Sequence, residues 1–508
     1  MVAKSDLQFA GEYLIEECSI VTTSGKTFNI KEIVEEINIY ENIYTASVTG
    51  SILVKDATNI ITNFPIVGEE RLILKIQTPQ SKPEPETTID YTLSPLMIYK
   101  VNLQEGDGEN AQIVSLQFGS IEGFRNNTAK VSQSYSGQPA QIVEKILRDE
   151  TYLKSKKTFY YEPTSNLAKV IFPNLRPFKC IQHLTNISNS QVNNTSPSYL
   201  FYETTKGFHF RTFDSICKEE PKFSFKETVG AQLNEQGVVD VQANMDNIVN
   251  YQIVSSRDTN QNVSSGMLSS KLITHDVYNK RVDLYKYDYL SNFDRDIHPD
   301  NGESTPIISS AKDPDTNKGL TDHEDTKLFV TSTASGYSFS ENGNYPYQSD
   351  NKIETLQRKH SRKEQFDKGL ILNVEINGQT FIQAGDKINL DIQAQSAFTD
   401  DKLDKNLSGG YVVTHLRHTF TQSGQLKHKI IMRVAKDSKK GEPLPSVGIQ
   451  PNDDFATDTN KSRSVNVAQG YMAGDDYISA STPPTTTTSS TSTVSTTPVN
   501  DTATVGPR

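Results

Sequence analysis

Two stretches near opposite ends of the chain are built to one plan, and that repetition restricts the fold more than any other feature. The first reads Phe64-Pro65-Ile66-Val67-Gly68-Glu69 and runs on into Leu72, Leu74 and Ile76; the second reads Ile382-Gln383-Ala384-Gly385-Asp386 and runs on into Ile388, Leu390 and Ile392. Apolar residues two apart belong to one face of a half-buried strand, and the Gly before them supplies the backbone freedom of a sharp turn. A β-domain used twice is the simplest reading. In a symmetric oligomer, such a duplication doubles the apparent symmetry of a ring.

The length suits about three domains. Met1 to Gly11 carries Lys4 and Asp6 and no apolar stretch long enough for a signal peptide, so no secretory route and no membrane insertion are expected. Sequons such as Asn126-Asn127-Thr128 are then chance matches. Cys18, Cys180 and Cys217 are too scattered for a disulfide framework or a metal pair and read as buried free thiols. The net charge of -11 opposes nucleic-acid binding, which needs clustered Lys and Arg. A surface with the sign of DNA still suits a passage where DNA slides without sticking. Trp is absent, which weighs against a sugar cleft built on large rings.

Along the chain, residues 1–127 read as a first β-barrel. Gly50, Ile52 and Val54 share one parity, Tyr91 to Tyr99 and Ile113 to Phe118 add strands, and a Gly- and Glu-rich turn at 105–110 joins two of them. Residues 128–237 bring helices. Pro139 opens one with Ile142, Val143, Ile146 and Leu147 on one side, and Pro177 opens another with Phe178, Ile181, Leu184 and Ile187. Two aromatic strands, Tyr199 to Tyr202 and Phe208 to Phe213, follow as a hairpin about Thr204-Thr205-Lys206-Gly207. Residues 238–353 form a mixed region with a strand at Tyr251 to Val254 and an exposed loop insertion at 294–326. Residues 354–440 make a second barrel, entered by a basic helix at Glu354 to Lys368, with Asn377-Gly378 as a hairpin turn and strands at Lys387 to Ile392, Tyr411 to Phe420 and Lys427 to Val434. Residues 441–508 form a tail. Ser481 to Thr497 is almost all Ser, Thr and Pro and cannot bury enough surface to offset chain entropy. The expected fold class is therefore α+β, mainly β: two tube-like barrels, an inserted mixed α/β region and a disordered Ser/Thr-rich tail.

The order of several motifs resembles the baseplate central hub protein of T-even-like contractile-tailed bacteriophages. They are Thr49-Gly50-Ser51-Ile52-Leu53-Val54-Lys55-Asp56, the Phe64 to Glu70 stretch, Arg176-Pro177-Phe178 with its aromatic hairpin, His275-Asp276 and Lys280 ahead of Tyr285, Tyr287 and Tyr289, and Gly385-Asp386. The hub portion of type VI secretion spike proteins is similar. The resemblance covers most of the chain up to about Asp437 and implies a homotrimer whose two barrels per chain form a pseudo-sixfold ring. It implies as partners a hexameric tail tube protein, a trimeric central spike protein and other baseplate proteins, with DNA passing through the lumen without specific binding. The place implied is the tail baseplate of the virion, assembled in the host cytoplasm. No cofactor, metal or catalytic residue is implied, and the family's cell-wall hydrolase, where present, sits on the spike chain.

The candidates for chemistry have duller readings beside them. Asp313, Asp315, Asn317 and Glu324 fall at calcium-loop spacing, but Lys318 stands where the loop needs Gly and Gly319 comes one place late, so a solvated acidic loop is preferred. His323 with Glu324 and Asp325, and His275 with Asp276, lack a second His at zinc spacing and are read as surface or capping residues. His415 and His418 lie on opposite faces of one strand, awkward for a shared metal. The basic run Arg358, Lys359, His360, Arg362 and Lys363 is read as the exposed side of a helix, with DNA or an acidic neighbour as the alternative. No serine elbow or phosphate loop occurs. A structural, non-enzymatic role follows, with a tail-associated cell-wall or polysaccharide hydrolase and a receptor-binding tail protein as rivals. An acid pair for glycoside cleavage leaves no sequence signature.

Overall fold

The computed structural model describes residues 7–441 apart from 57–65, 80–86, 105–111, 194–195, 229, 231, 234–236, 238, 277–279, 301, 334–335, 338–346, 349–352, 395–402 and 423–425, and beyond 441 residues 444, 465–466 and 471–472. Phe64-Pro65, the 105–110 turn and the Ser/Thr-rich stretch lie outside the described residues. Two compact units meet at Gly448. The second contributes the antiparallel pair Val465–Asn466 with Tyr471–Met472; everything that follows concerns the first.

Its first half supplies β1 (Leu14–Val21), β2 (Thr27–Asn29), β3 (Val34–Asn42), β4 (Thr49–Asp56), β5 (Arg71–Gln77), β6 (Thr88–Asp90), β7 (Leu96–Gln104) and β8 (Gln112–Gly119). They lie in the order β2-β1-β5-β7-β8-β4-β3, with β6 against β5. Period-two alternation turns Ile52 and Val54, Leu72, Leu74 and Ile76, and Val114, Leu116 and Phe118 into one buried core, around which the sheet curls. The strand expected over Tyr91 to Tyr99 is divided. One strand ends at Asp90 and the next starts at Leu96, because Pro95 between them has no N–H to give a ladder.

The second ring is made of β9 (Phe223–Glu227), β10 (Asn247–Ser255), β11 (Leu370–Asn377), β12 (Lys387–Asp391), β13 (Gly409–Thr421) and β14 (Lys427–Lys436). The order β13-β12-β9-β10-β11-β14 returns from β14 to β13, which closes a six-stranded barrel. Leu372, Val374, Ile376, Ile388, Leu390, Val413, Met432 and Val434 fill it. Strands β9 and β10 precede the last insertion in sequence yet complete this ring. Asn377-Gly378 is not a hairpin turn: β11 pairs with β10 and β14, and β12 with β9 and β13. Gly378 instead lies against the His428 ring, where any Cβ would collide with it.

The barrels repeat one another strand for strand. The order β3-β4-β8-β7-β5-β1 in the first matches β10-β11-β14-β13-β12-β9 in the second. The Ile98 N–H donates to the Glu70 carbonyl and the Val413 N–H to the Asp386 carbonyl, both at 3.0 Å. The residue after each of these bulges, between Ile98 and Lys100 against β8 and between Val413 and His415 against β14. A second matched bulge falls between Val34 and Glu36 in β3 and between Ile248 and Asn250 in β10. The acid that matches Asp386 is Glu70 rather than the Glu69 of the expected Gly-acid pair, one place later in the chain, and the two carboxylates act alike. The Glu70 carboxylate accepts the N–H groups of Val67, Gly68 and Glu69, and the Asp386 carboxylate accepts that of Gln383. Gly68 and Gly385 both hold positive φ, 97° and 85°. The copies differ at one edge: β1 runs antiparallel to β5 and, among the described residues, does not pair with β3, whereas β9 runs parallel to β12 and closes its ring on β10.

Residues between the barrels form two attachments. Helices Pro139–Arg148 and Pro177–Ile187 pack with the expected hairpin, whose strands run Tyr199–Thr204 and Gly207–Thr212, around a core of Ile142, Ile146, Ile181, Leu184 and Phe210. Farther on, Ser269–Asp276 pairs with Arg281–Asp288 and Leu328–Thr333 in a three-stranded sheet. The equivalence of the barrels gives a direct expectation. Leu74→Ala and Leu390→Ala, at corresponding buried strand positions, should each cost about 2–5 kcal/mol, measured as a lowered midpoint of chemical unfolding.

Candidate assembly interface

The two barrels of this chain are joined by a defined seam. Glu36 to Asn42 of β3 pair antiparallel with Thr421 to His415 of β13, so the barrels share one fourteen-stranded sheet. Arg417 Nε and Thr419 Oγ1 donate to Asn38 Oδ1 at 2.9 and 3.0 Å, and the Arg417 guanidinium lies 5.7 Å from the Tyr40 ring centre. Phe420 belongs to a strand of the second barrel but packs in the core of the first, 5.1 Å from the ring of Tyr13. His415 and His418 do take opposite faces. His418 meets His428, Nδ1 to Nε2 at 3.1 Å, and burial pushes the His418 ring down to about 3 and the His428 ring well below its ordinary range. The pair is therefore neutral, one ring donating to the other. Among the described residues no group of three metal-ligating side chains stands together.

The inserted hairpin is tied into the seam by buried carboxylates. Glu41, on β3, accepts the Thr205 N–H at 2.6 Å and the Ala384 N–H at 2.7 Å, so one side chain holds the hairpin tip and the second glycine-acid turn. Burial pushes its carboxyl up to about 7 against those two donors. Glu203 accepts the Val48 N–H at 2.9 Å, and Lys157 bridges Glu203 and Glu122 at 2.5 and 2.8 Å. Lys222 pairs with Asp386.

The basic run is not an exposed face. A π-helical turn, Ile353–Arg358, leads into the helix Lys359–Lys368, and Arg358 and Arg362, four apart on one side, are each only 1% exposed. Arg358 reaches Asp296 at 2.7 Å, and Arg362 reaches Asp437 and, at 3.2 Å, Asp214. Lys359 Nζ donates to the Thr185 carbonyl at 2.7 Å, and its burial pushes it down to about 7. Lys363 is the member of the run that reaches solvent. The start of the loop expected to be exposed is drawn in as well: Asp296 and His298 are buried. His298 faces the Asp437 carboxylate at 2.9 Å through Nδ1 and the Phe293 carbonyl at 3.0 Å through Nε2. Both partners are acceptors, so both ring nitrogens donate and the imidazole is protonated. Three carboxylates thus face two guanidiniums and one imidazolium. Arg362 and His298 hold the Asp437 carboxyl well below the usual range against its desolvation, while burial pushes the Asp214 carboxyl up to about 6.

The remaining flagged residues do not gather. Asp313 accepts the Asp315 N–H at 2.9 Å and the Thr316 hydroxyl at 3.0 Å within its own exposed turn, and Glu324 pairs with Lys286. His275 is an exposed strand residue and Asp276 a buried one. The His323 carbonyl accepts the Thr326 hydroxyl. Glu41, Glu203, Asp214 and Asp437 escaped sequence reasoning; the available sign was an acid set within or beside an apolar run, as in Phe213-Asp214-Ser215-Ile216-Cys217.

Two outcomes follow. Arg362→Met removes the guanidinium nearest to both Asp437 and Asp214 and should destabilise the fold by about 3–5 kcal/mol, read from denaturant unfolding. The pull of Asp437 outweighs desolvation and raises the His298 pKa. Its stabilisation is therefore fully present below about pH 6.5 and declines as pH rises through the folded value. Unfolding followed from pH 6 upward should show this alkaline loss, and His298→Gln should remove it while lowering stability at pH 6.

No protein-family model matches the chain. A sequence relative is the probable baseplate hub protein gp334 of Vibrio phage KVP40, 21% identical over 305 residues that cover 55% of this chain and 67% of that protein. Among solved structures, a tail protein from Neisseria meningitidis MC58 matches with a TM-score of 0.48 at 12% identity, over 84% of this chain and 97% of its own. The 43 kDa tail protein of prophage MuSo2 from Shewanella oneidensis matches at 0.47 and 8%, over 83% and 98%. The structural likenesses are too distant to carry an argument of their own. The sequence relative bears the designation that the ordered motifs pointed to, and this chain is similar to that phage baseplate hub protein.

Proposed function

We propose that this chain is a structural hub protein of a phage tail baseplate, acting as a homotrimer that matches a hexameric tail tube to a trimeric central spike. The observation that carries this reading is the strand-for-strand repetition of two barrels within one polypeptide, joined edge to edge through β3 and β13. Three copies supply six similar barrels to the tube side, while the parts that differ, the attachments within 128–353, repeat only three times. The functional division is 1–127 and 354–440 as the ring-forming barrels, the second completed by β9 and β10, with 128–237 and 238–353 as attachments and 441–508 as a tail. The role is non-enzymatic and its place is the virion. Other baseplate proteins contact the attachments. The net charge of -11 suits a lumen through which DNA passes without specific binding.

Mass measurement of the full chain in solution, alone and with its spike, should give three copies, and electron micrographs should show a ring with a central hole. A monomer under every condition overturns the proposal. Clearing of a bacterial cell-wall gel by this chain alone would move the assignment to the hydrolase.

A further inference from the structure

Each barrel has a strand edge whose counterpart in the other barrel is occupied. In the first, the outer edge of β3 is taken by β13. Its counterpart is β10: registers carried through the neighbouring strands set Ile37 against Tyr251 and Ile39 against Ile253. On the matching edge, β10 pairs with β9 only at Asn247 and Ile248. Among the described residues no strand takes that edge from Gln252 to Ser255. Ile253 and Val254 are each 46% exposed, and a groove with a cavity volume of about 730 Å³ runs beside them, lined on its far side by Gln393, Asp404 and Leu407.

The reciprocal edge is in the first barrel. One edge of β13 pairs with β12 up to Val412 and then, from His415, with β3. Its counterpart β7 pairs with β5 at Leu96 and Met97, and beyond its bulge no strand among the described residues takes the same edge. Tyr99 and Lys100 are exposed there. The matched bulges set Lys100 on His415, Asn102 on Arg417 and Leu103 on His418. An unpaired row of N–H and C=O groups with apolar side chains beside it is a template for another strand, and two complementary edges on one chain make a head-to-tail contact.

We propose that β10 of one copy pairs antiparallel with β7 of the next copy. A further bulge between Ile253 and Ser255 makes Val254 an extra residue, so Tyr40 corresponds to Ser255, and transferring the register Ile39 opposite His418 and Tyr40 opposite Arg417 sets Ile253 opposite Leu103 and Ser255 opposite Asn102. The contact between copies thereby repeats the seam within a copy, and the sheet continues around the ring. The choice of strands comes from the repeated topology; the closure at three copies rests on the hub reading.

The test is the full-length double variant Ser255→Cys/Asn102→Cys, since opposed residues of an antiparallel pair lie about 4.5–5.5 Å apart at Cβ, within disulfide reach. The native cysteines are buried. Oxidation should give covalent species that end at three copies on a non-reducing gel, with none from either single variant. Val254→Lys, with an unchanged circular dichroism spectrum, should shift the assembly to monomer where the parent is assembled. Covalent ladders beyond three would uphold the strand pairing and overturn the threefold reading. A trimer that neither cross-links nor responds to Val254→Lys overturns the pairing and leaves the hub standing. A monomer that does not cross-link overturns both.

Discussion

The pairing of β3 with β13 is the constraint from which the rest of this structure follows. Each backbone hydrogen bond across such a seam contributes only about 1 kcal/mol net, so the ladder alone is a weak hinge. What makes it a joint is burial on both sides. Phe420 crosses from a strand of the second barrel into the core of the first, and Glu41 leaves the first to bind the turn before Gly385. Neither barrel can rotate about the seam without emptying an apolar site or stranding a carboxylate, and each costs more than one ladder bond.

The ion cluster under the helix Lys359–Lys368 does related work at longer range. Arg358 and Arg362 join Asp214, at the hairpin's end, to Asp296 and to Asp437, which follows the last barrel strand. Burying so many charges carries a desolvation cost that their attraction does no more than roughly offset, so the cluster adds little net stability. It adds discrimination. Any packing of the attachments that separates one arginine from its acids leaves unpaired charge in a low-dielectric interior, and that alternative is disfavoured by several kcal/mol. The protonated His298 belongs to the same balance, because without it the carboxylates outnumber the fixed cations.

How far the sequence disclosed this depends on the range of each interaction. The strand faces were legible because alternation is local: Leu72, Leu74 and Ile76 announce a buried face unaided, as do Ile388, Leu390 and Ile392. The helices after Pro139 and Pro177 were legible for the same reason. The basic run misled because solvent exposure is the ordinary fate of Arg and Lys, and the acids that bury Arg358 and Arg362 lie dozens of positions away in sequence. Asn377-Gly378 misled because a turn signal says that the chain turns, not which strand it then meets; β11 found partners in β10 and β14. The contribution of β9 and β10 to the second barrel had no local sign at all, since ring closure depends on the order of strands and not on their composition.

A head-to-tail contact gives a closed ring only when the rotation from one unit to the next divides the circle; otherwise it gives a filament. In a chain with two like barrels, the first of those rotations is set inside the polypeptide, at the β3–β13 seam, and is fixed before any copy meets another. The bulges after Ile98 and Val413, and those after Val34 and Ile248, therefore matter beyond their own barrels. A bulge bends its strand and increases local twist, so the matched bulges bend both barrels alike beside the seam edges, while β10 carries a further bulge between Ile253 and Ser255 that β3 lacks. In the proposed ring, a duplicated barrel that lost one of them would present one seam angle within the chain and another between chains, and the six positions of that ring would no longer be near-equivalent. Coincidence of the bulges at corresponding places in the two halves is what a requirement on that angle produces. A requirement on barrel stability alone is met by the alternating apolar faces and gives no reason for the bulges to coincide.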